Sequence, residues 1–169
     1  MDSIRTMKTD VSDVVARSMA NAFGVMFHRD VAAQGTGEGL AKGTGQDICS
    51  RASLWQDGLV NMQFSFRFNR DMLAAIAQDA YPASGHDAQV LCEDIACAVA
   101  NIVVSNVKTY LNGRGYELEM DIPATEAGTP EGGQGHLTHM RFRCDSRGQW
   151  EDGILVNMQM QGPRGPKAG

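Results

Sequence analysis

Apolar residues recur along this chain with two periods. Between residues 10 and 28, Val11, Val15, Met19, Ala22 and Met26 follow the rhythm of one helix face, and Val14 and Phe23 broaden it. Asp10 is placed to cap that helix, and Phe27 and His28 end it. The period then changes to two. Residues 48–56 (ICSRASLWQ) and 59–68 (LVNMQFSFRF) read as strands joined at Asp57-Gly58; Met62, Phe64, Phe66 and Phe68 alternate with Gln63, Ser65 and Arg67. Asn69 caps a short helix over 70–80, with Met72, Leu73 and Ile76 inward, and Tyr81-Pro82 closes it. Ser84 and Asp87 form a capping box for a long helix over 86–111, with Gly113 at its C-terminal end. Its apolar stripe is Leu91, Ile95, Val99, Ile102 and Val103, followed by Val107, Tyr110 and Leu111.

Three more strands follow. Residues 116–122 (YELEMDI) put Leu118, Met120 and Ile122 on one face, and Pro123 ends the run. Residues 136–144 and 154–160 are joined by a turn near Ser146-Arg147-Gly148. An internal echo links the halves: "DGLVNMQF" (57–64) returns as "DGILVNMQM" (152–160) with one residue inserted. Each copy closes a helix-then-hairpin stretch, helix 10–28 with strands 48–68 and helix 86–111 with strands 116–160. This order predicts an α+β fold of duplicated helix-plus-strands units, a largely antiparallel sheet with two long helices packed on one face. Residues 1–162 form a single domain, and the Pro- and Gly-rich tail 163–169 is expected to be disordered.

Composition narrows the function classes. A net charge of −5 leaves no basic footprint for nucleic acid. The N-terminal stretch is polar, and no apolar run approaches the roughly 18 residues that span a bilayer. The four cysteines, Cys49, Cys92, Cys97 and Cys144, form no CxxC pair and read as reduced, buried thiols in a cytoplasmic protein. No metal site or cofactor is expected: His136 and His139 face opposite sides of a strand, and His28 and His86 have no partner of suitable spacing. Residues 35–46 (GTGEGLAKGTGQ) are a flexible glycine-rich loop rather than a phosphate loop, because Lys42 precedes Gly43 and no apolar strand leads in. A second such loop covers 124–135. The ten methionines read as core packing.

The long helix carries the candidate chemistry. Asp94, Ala98, Asn101, Ser105 and Lys108 share one narrow stripe by the i, i+3, i+4, i+7 rule. A solvated face usually bears long charged side chains. This one is charged at its ends and small at its centre, so another surface can approach the backbone.

The stretch DIACAVANIVVSN (94–106) resembles the signature of the chemotaxis CheC/CheX/FliY phosphatase family: Asp or Ser, three residues, Glu, two residues, Asn, and a Pro some two dozen residues on. Asp94, Asn101 and Pro123 match, with Asn101 and Pro123 separated by 22, one short of the usual spacing. "VANIVVSNVKTYL" is similar to the family's "LANMIAGNAKTAL", and "DGLVNMQFSFRFNRDMLAAIA" to its glycine-led strand and short helix. The single signature, short length and long N-terminal helix favour the CheX branch. The family's glutamate position holds Ala98.

The resemblance implies a substrate, the phospho-aspartate of a CheY-like response regulator, with Mg2+ held only by that regulator. It implies that Asn101 positions the attacking water, since an amide both donates and accepts without charge. The family glutamate pairs with the regulator's lysine, and here that anchor is missing. Asp94 is a candidate substitute acid, but it starts about 6 Å further along the axis. Glu93 points about 140° away from position 98. Two readings therefore stand: a phosphatase weakened at Ala98, with Ser105 and Lys108 completing the binding face, or a non-catalytic adaptor that docks a regulator or flagellar-switch partner. A homodimer is a further expectation, with "ILVNMQM" (154–160) as the uncharged edge strand that seeks a partner.

Overall fold

The computed structural model describes residues 2–36, 47–82, 85, 87–125, 136–146 and 148–162. Of the expected loops 35–46 and 124–135, residues 35–36 instead end a strand and 124–125 form one, while 37–46 and 126–135, with the Ser84 cap, His86 and the tail 163–169, lie outside the described residues. Helix α1 (Asp2–Phe27) leads into strand β1 (Val31–Thr36), β2 (Ile48–Gln56) and β3 (Val60–Phe68). Two helices follow, α2 (Arg70–Ala80) and α3 (Ala88–Asn112), then β4 (Glu119–Met120), β5 (Ala124–Thr125), β6 (His136–Ser146) and β7 (Gln149–Gln161). The result is α+β, with one seven-stranded antiparallel sheet in the order β1-β6-β7-β3-β2-β4 and β5 also pairing with β2.

The strand order is symmetric about the central β3/β7 pair. Outward from it lie β2 then β4 and β5 on one side, and β6 then β1 on the other. Each half is one helix followed by strands, and each sends its edge strand across to the other half: β1 pairs with β6, and β4 and β5 pair with β2. The repeated LVNMQ segments lie in the two central strands, where Met62 faces Met160 and Gln63 faces Gln159. Strand 154–160 is therefore a central strand and not an edge. Ile154, Val156, Met158 and Met160 are buried against the helices, whereas Asn157 and Gln159 project from the other face. Uncharged alternation of this kind suits an edge or a centre equally, and only the pairing distinguishes them. The edges are β1 and the β4–β5 segment.

Several boundaries differ from the sequence pattern for identifiable reasons. Asp10 is not an N-cap: α1 begins at Asp2, Met7 packs on the core one turn before Val11, and Asp10 instead faces Arg114 at 3.8 Å. The helix does end where expected, at Phe27, with His28 in the left-handed region at φ 53°. Strand β1 carries no pattern of its own because VAAQGT shows no alternation; among residues 31–34 only Val31 is buried, and the register shifts between Ala33 and Gly35. Asp87 caps α3 by accepting from the Gln89 N–H at 2.9 Å. Gly113 stands at the C-cap in right-handed geometry, and the positive φ falls at Gly115.

Residues 116–122 form no continuous strand. Asn112 Oδ1 takes the Leu118 N–H, and Asp121 Oδ1 takes the Ser53 N–H at 2.6 Å, so side chains replace ladder bonds. Leu118 and Met120 face the core as expected, but Ile122 is 89% exposed.

The core lies between the sheet and the helices, around Phe23, Phe64, Phe66, Phe68 and Phe142. Methionines 19, 62, 72, 140, 158 and 160 fill it. The "DG" of the echo serves two different purposes. Gly58 turns the β2–β3 hairpin at φ 72°, whereas Gly153 sits inside β7 at the register shift opposite Phe142/Arg143. There its carbonyl accepts the Asn69 N–H at 2.8 Å, and a Cβ would overlap the sulfur of buried Met72. Gly153→Val should thus overpack the α2–β7 junction and destabilise by about 1–3 kcal/mol. The check is a lower urea midpoint at unchanged slope; an unchanged midpoint would mean that Met72 moves aside freely.

Candidate functional site on the outward face of α3

Helix α3 is held on three sides. It packs on β2, α1 and α2, burying Ile95, Val99, Ala100, Val103, Val104 and Val107. Ser50, fully buried in β2, donates from Oγ to the Ala96 carbonyl at 3.0 Å, and Asn106 Nδ2 reaches Ser18 Oγ of α1 at 3.2 Å. By length and composition α3 meets the criterion for crossing a membrane, contrary to the reading of the apolar runs; its apolar side chains are instead those of a core helix.

The remaining side faces out, and the predicted stripe lies along it. At 100° per residue, Asp94, Ala98, Asn101, Ser105 and Lys108 centre opposite the buried residues. Asp94 and Asn101 are exposed, while Ala98, Ser105 and Lys108 are half-buried. Ser105 is half-buried because Met120 of β4 lies beside it, with Oγ 3.6 Å from Sδ. The β4–β5 segment thus forms one wall of the face.

Among the described residues, the side chains of Asp94 and Asn101 have no hydrogen-bond or ion-pair partner. Asn101 therefore presents an uncommitted donor and an uncommitted acceptor near the centre of the stripe. The helix brings Asp94 and Asn101 onto one line but about 10 Å apart along its axis. Glu93 is turned away and accepts from Gln89 Nε2 at 2.8 Å.

Half-buried Cys97 borders the stripe. Burial pushes its thiol up, and the Asp94 and Glu93 charges act the same way, so it stays protonated and a poor nucleophile. Burial likewise raises Cys92, although Arg70 opposes the effect. Among the described residues no group of three or more His, Cys, Asp and Glu is placed to hold a metal. His139 instead bonds through Nδ1 to Asn157 Oδ1 across β6 and β7.

No sequence-family model matches the chain, and no curated protein matches it. Solved structures do. Chemotaxis protein CheX from Vibrio vulnificus superposes with a TM-score of 0.73 at 14% identity, covering 90% of this chain and 99% of that one. CheX in the CheX–CheY–BeF3–Mg2+ complex from Borrelia burgdorferi gives 0.68 at 15% identity, covering 88% and 96%. Thermotoga maritima FliY gives 0.59 at 13%, covering 89% and 86%. The chain has the CheX/CheC-type fold. Within this fold the line of Asp94, Ala98, Asn101 and Ser105 lies on α3, between α1 and α2, and faces out.

Ile122, between β4 and β5, departs from the spacing of its strand. The two-residue spacing puts Ile122 on the same strand face as Leu118 and Met120, whereas the structure leaves it 89% exposed. The signal that could have corrected this is Asp121-Ile122-Pro123 itself, because a proline ends the ladder and an aspartate side chain can substitute for it.

Proposed function

We propose that this chain docks a CheY-type response regulator against the outward face of α3 and uses Asn101 to place a water on its phospho-aspartate. The observation that carries this reading is the uncommitted Asn101 amide, exposed between small residues in a CheX-type fold. The amide carbonyl accepts a hydrogen bond from the water and the amide N–H2 donates one to the water oxygen. That oxygen attacks phosphorus as the bond from phosphorus to the aspartate carboxylate oxygen breaks. The products are inorganic phosphate and a free carboxylate. Mg2+ belongs to the regulator, where it neutralises the phosphoryl oxygens.

Ala98 supports the second reading, a docking protein without turnover. A methyl group offers no charge to the regulator's active-site cation, and Asp94, one turn away and solvated, is the remaining candidate acid on the stripe. One experiment separates the two readings. A regulator phosphorylated with acetyl phosphate is mixed with the protein, and phosphate release is followed. Faster release establishes the phosphatase. An unchanged decay together with recovery of the regulator in a pull-down establishes the adaptor.

A further inference from the structure

We infer that Ile122 is an apolar anchor for the docked regulator, beside the α3 face but outside the phosphoryl site. This rests on the reading that α3 docks a CheY-type receiver. A β-branched side chain at 89% exposure is costly to leave in water, and this one is held in place. Asp121, its neighbour, is tied to β2 twice: its N–H donates to the Ser53 carbonyl at 3.3 Å, and its Oδ1 accepts the Ser53 N–H at 2.6 Å. Pro123 stiffens the other side. The segment is therefore rigid, which lowers the entropy lost when a partner covers it.

Position matters as much as exposure. The strands on either side of Ile122, β4 and β5, both pack on α3, and Met120 touches Ser105 of the stripe. Val90 is also exposed, and it lies eighteen residues before Lys108, about five turns earlier on the same line. The polar centre of the face is thus flanked by an apolar group at one end and another at its side. A regulator's phosphoryl site is polar, so affinity that does not depend on the phosphoryl group has to come from beyond it. With alanine at 98, such outer contacts carry a larger share of the binding.

The test titrates the full chain into a labelled CheY-type receiver domain from the source organism, with and without BeF3− and Mg2+. Ile122→Asp should raise Kd by about tenfold or more in both states, while Val25→Asp, at an exposed site on α1, stays within about twofold. Melting temperatures should match wild type for both variants. If Ile122→Asp binds like wild type while Ala98→Arg abolishes binding, the anchor is refuted and α3 docking stands. If Ile122→Asp weakens only the BeF3−-loaded state, its place outside the phosphoryl site is refuted. If wild type binds and neither Ala98→Arg nor Ile122→Asp changes Kd, docking occurs elsewhere and both readings fall.

Discussion

On the proposed mechanism, Asn101→Ala should abolish acceleration of regulator dephosphorylation and leave docking intact. The substitution removes a donor and an acceptor from an exposed position with no partner among the described residues, so it creates no buried unsatisfied group and no cavity. Alanine is also the best helix former, and α3 keeps its geometry. The loss therefore falls on the positioned water. Misplacing a reacting group by about an ångström costs on the order of 100-fold. The rate should return to the regulator's own decay, with Kd for the BeF3−-loaded regulator within about twofold of wild type. If the wild-type rate is small, the same comparison is made in an Ala98→Glu background. A double variant as fast as Ala98→Glu alone would show that Asn101 takes no part.

Ala98→Glu is the reciprocal prediction, a gain. Position 98 is half-buried on the outward line, one turn from Asn101. A carboxylate there lies one turn from exposed Asp94, a like-charge pair that costs only about 0.2–0.5 kcal/mol on a helix surface, and Glu93 is already engaged by Gln89 on another side. A charge-assisted contact to a cation on the partner is worth about 2–5 kcal/mol when buried. On a partly solvated face a smaller share is realised, and about 1.4 kcal/mol corresponds to tenfold. The expected result is a rise of at least about tenfold in catalytic efficiency. It should appear as a lower half-saturation concentration more than a higher limiting rate, because an anchor binds ground state and transition state alike. Ala98→Gln, with the same shape and no charge, should stay near wild type. Equal gains for Glu and Gln would refute the electrostatic account.

The two periods of hydrophobicity made the helices and most strands legible. Phe64, Phe66 and Phe68 alternate because one sheet face is buried under helices, and Ile95, Val99, Val103 and Val107 repeat because α3 crosses it. The α+β class and the duplicated order followed from the same patterns. What failed were features settled by pairing. Strand 154–160 lies at the centre although its composition also fits an edge, and β1 forms although its residues carry no alternation, because β6 offers a free edge to it. Ile122 continues the spacing of Leu118 and Met120 but leaves the core where Asp121 and Pro123 interrupt the ladder.

The candidate site divides in the same way. The spacing of Asp94, Ala98, Asn101, Ser105 and Lys108 places them on one line of a helix, because 3.6 residues per turn is a local property. Sequence alone also determined that the line is small at its middle and lacks a glutamate. Only the tertiary structure decided which way that line faces and what stands beside it. Side-chain spacing is set within one helix, whereas exposure depends on every element packed around it. Here β2, α1 and α2 cover the other sides of α3, and the β4–β5 segment brings Ile122 near a face that ends 14 residues before it along the chain at Lys108.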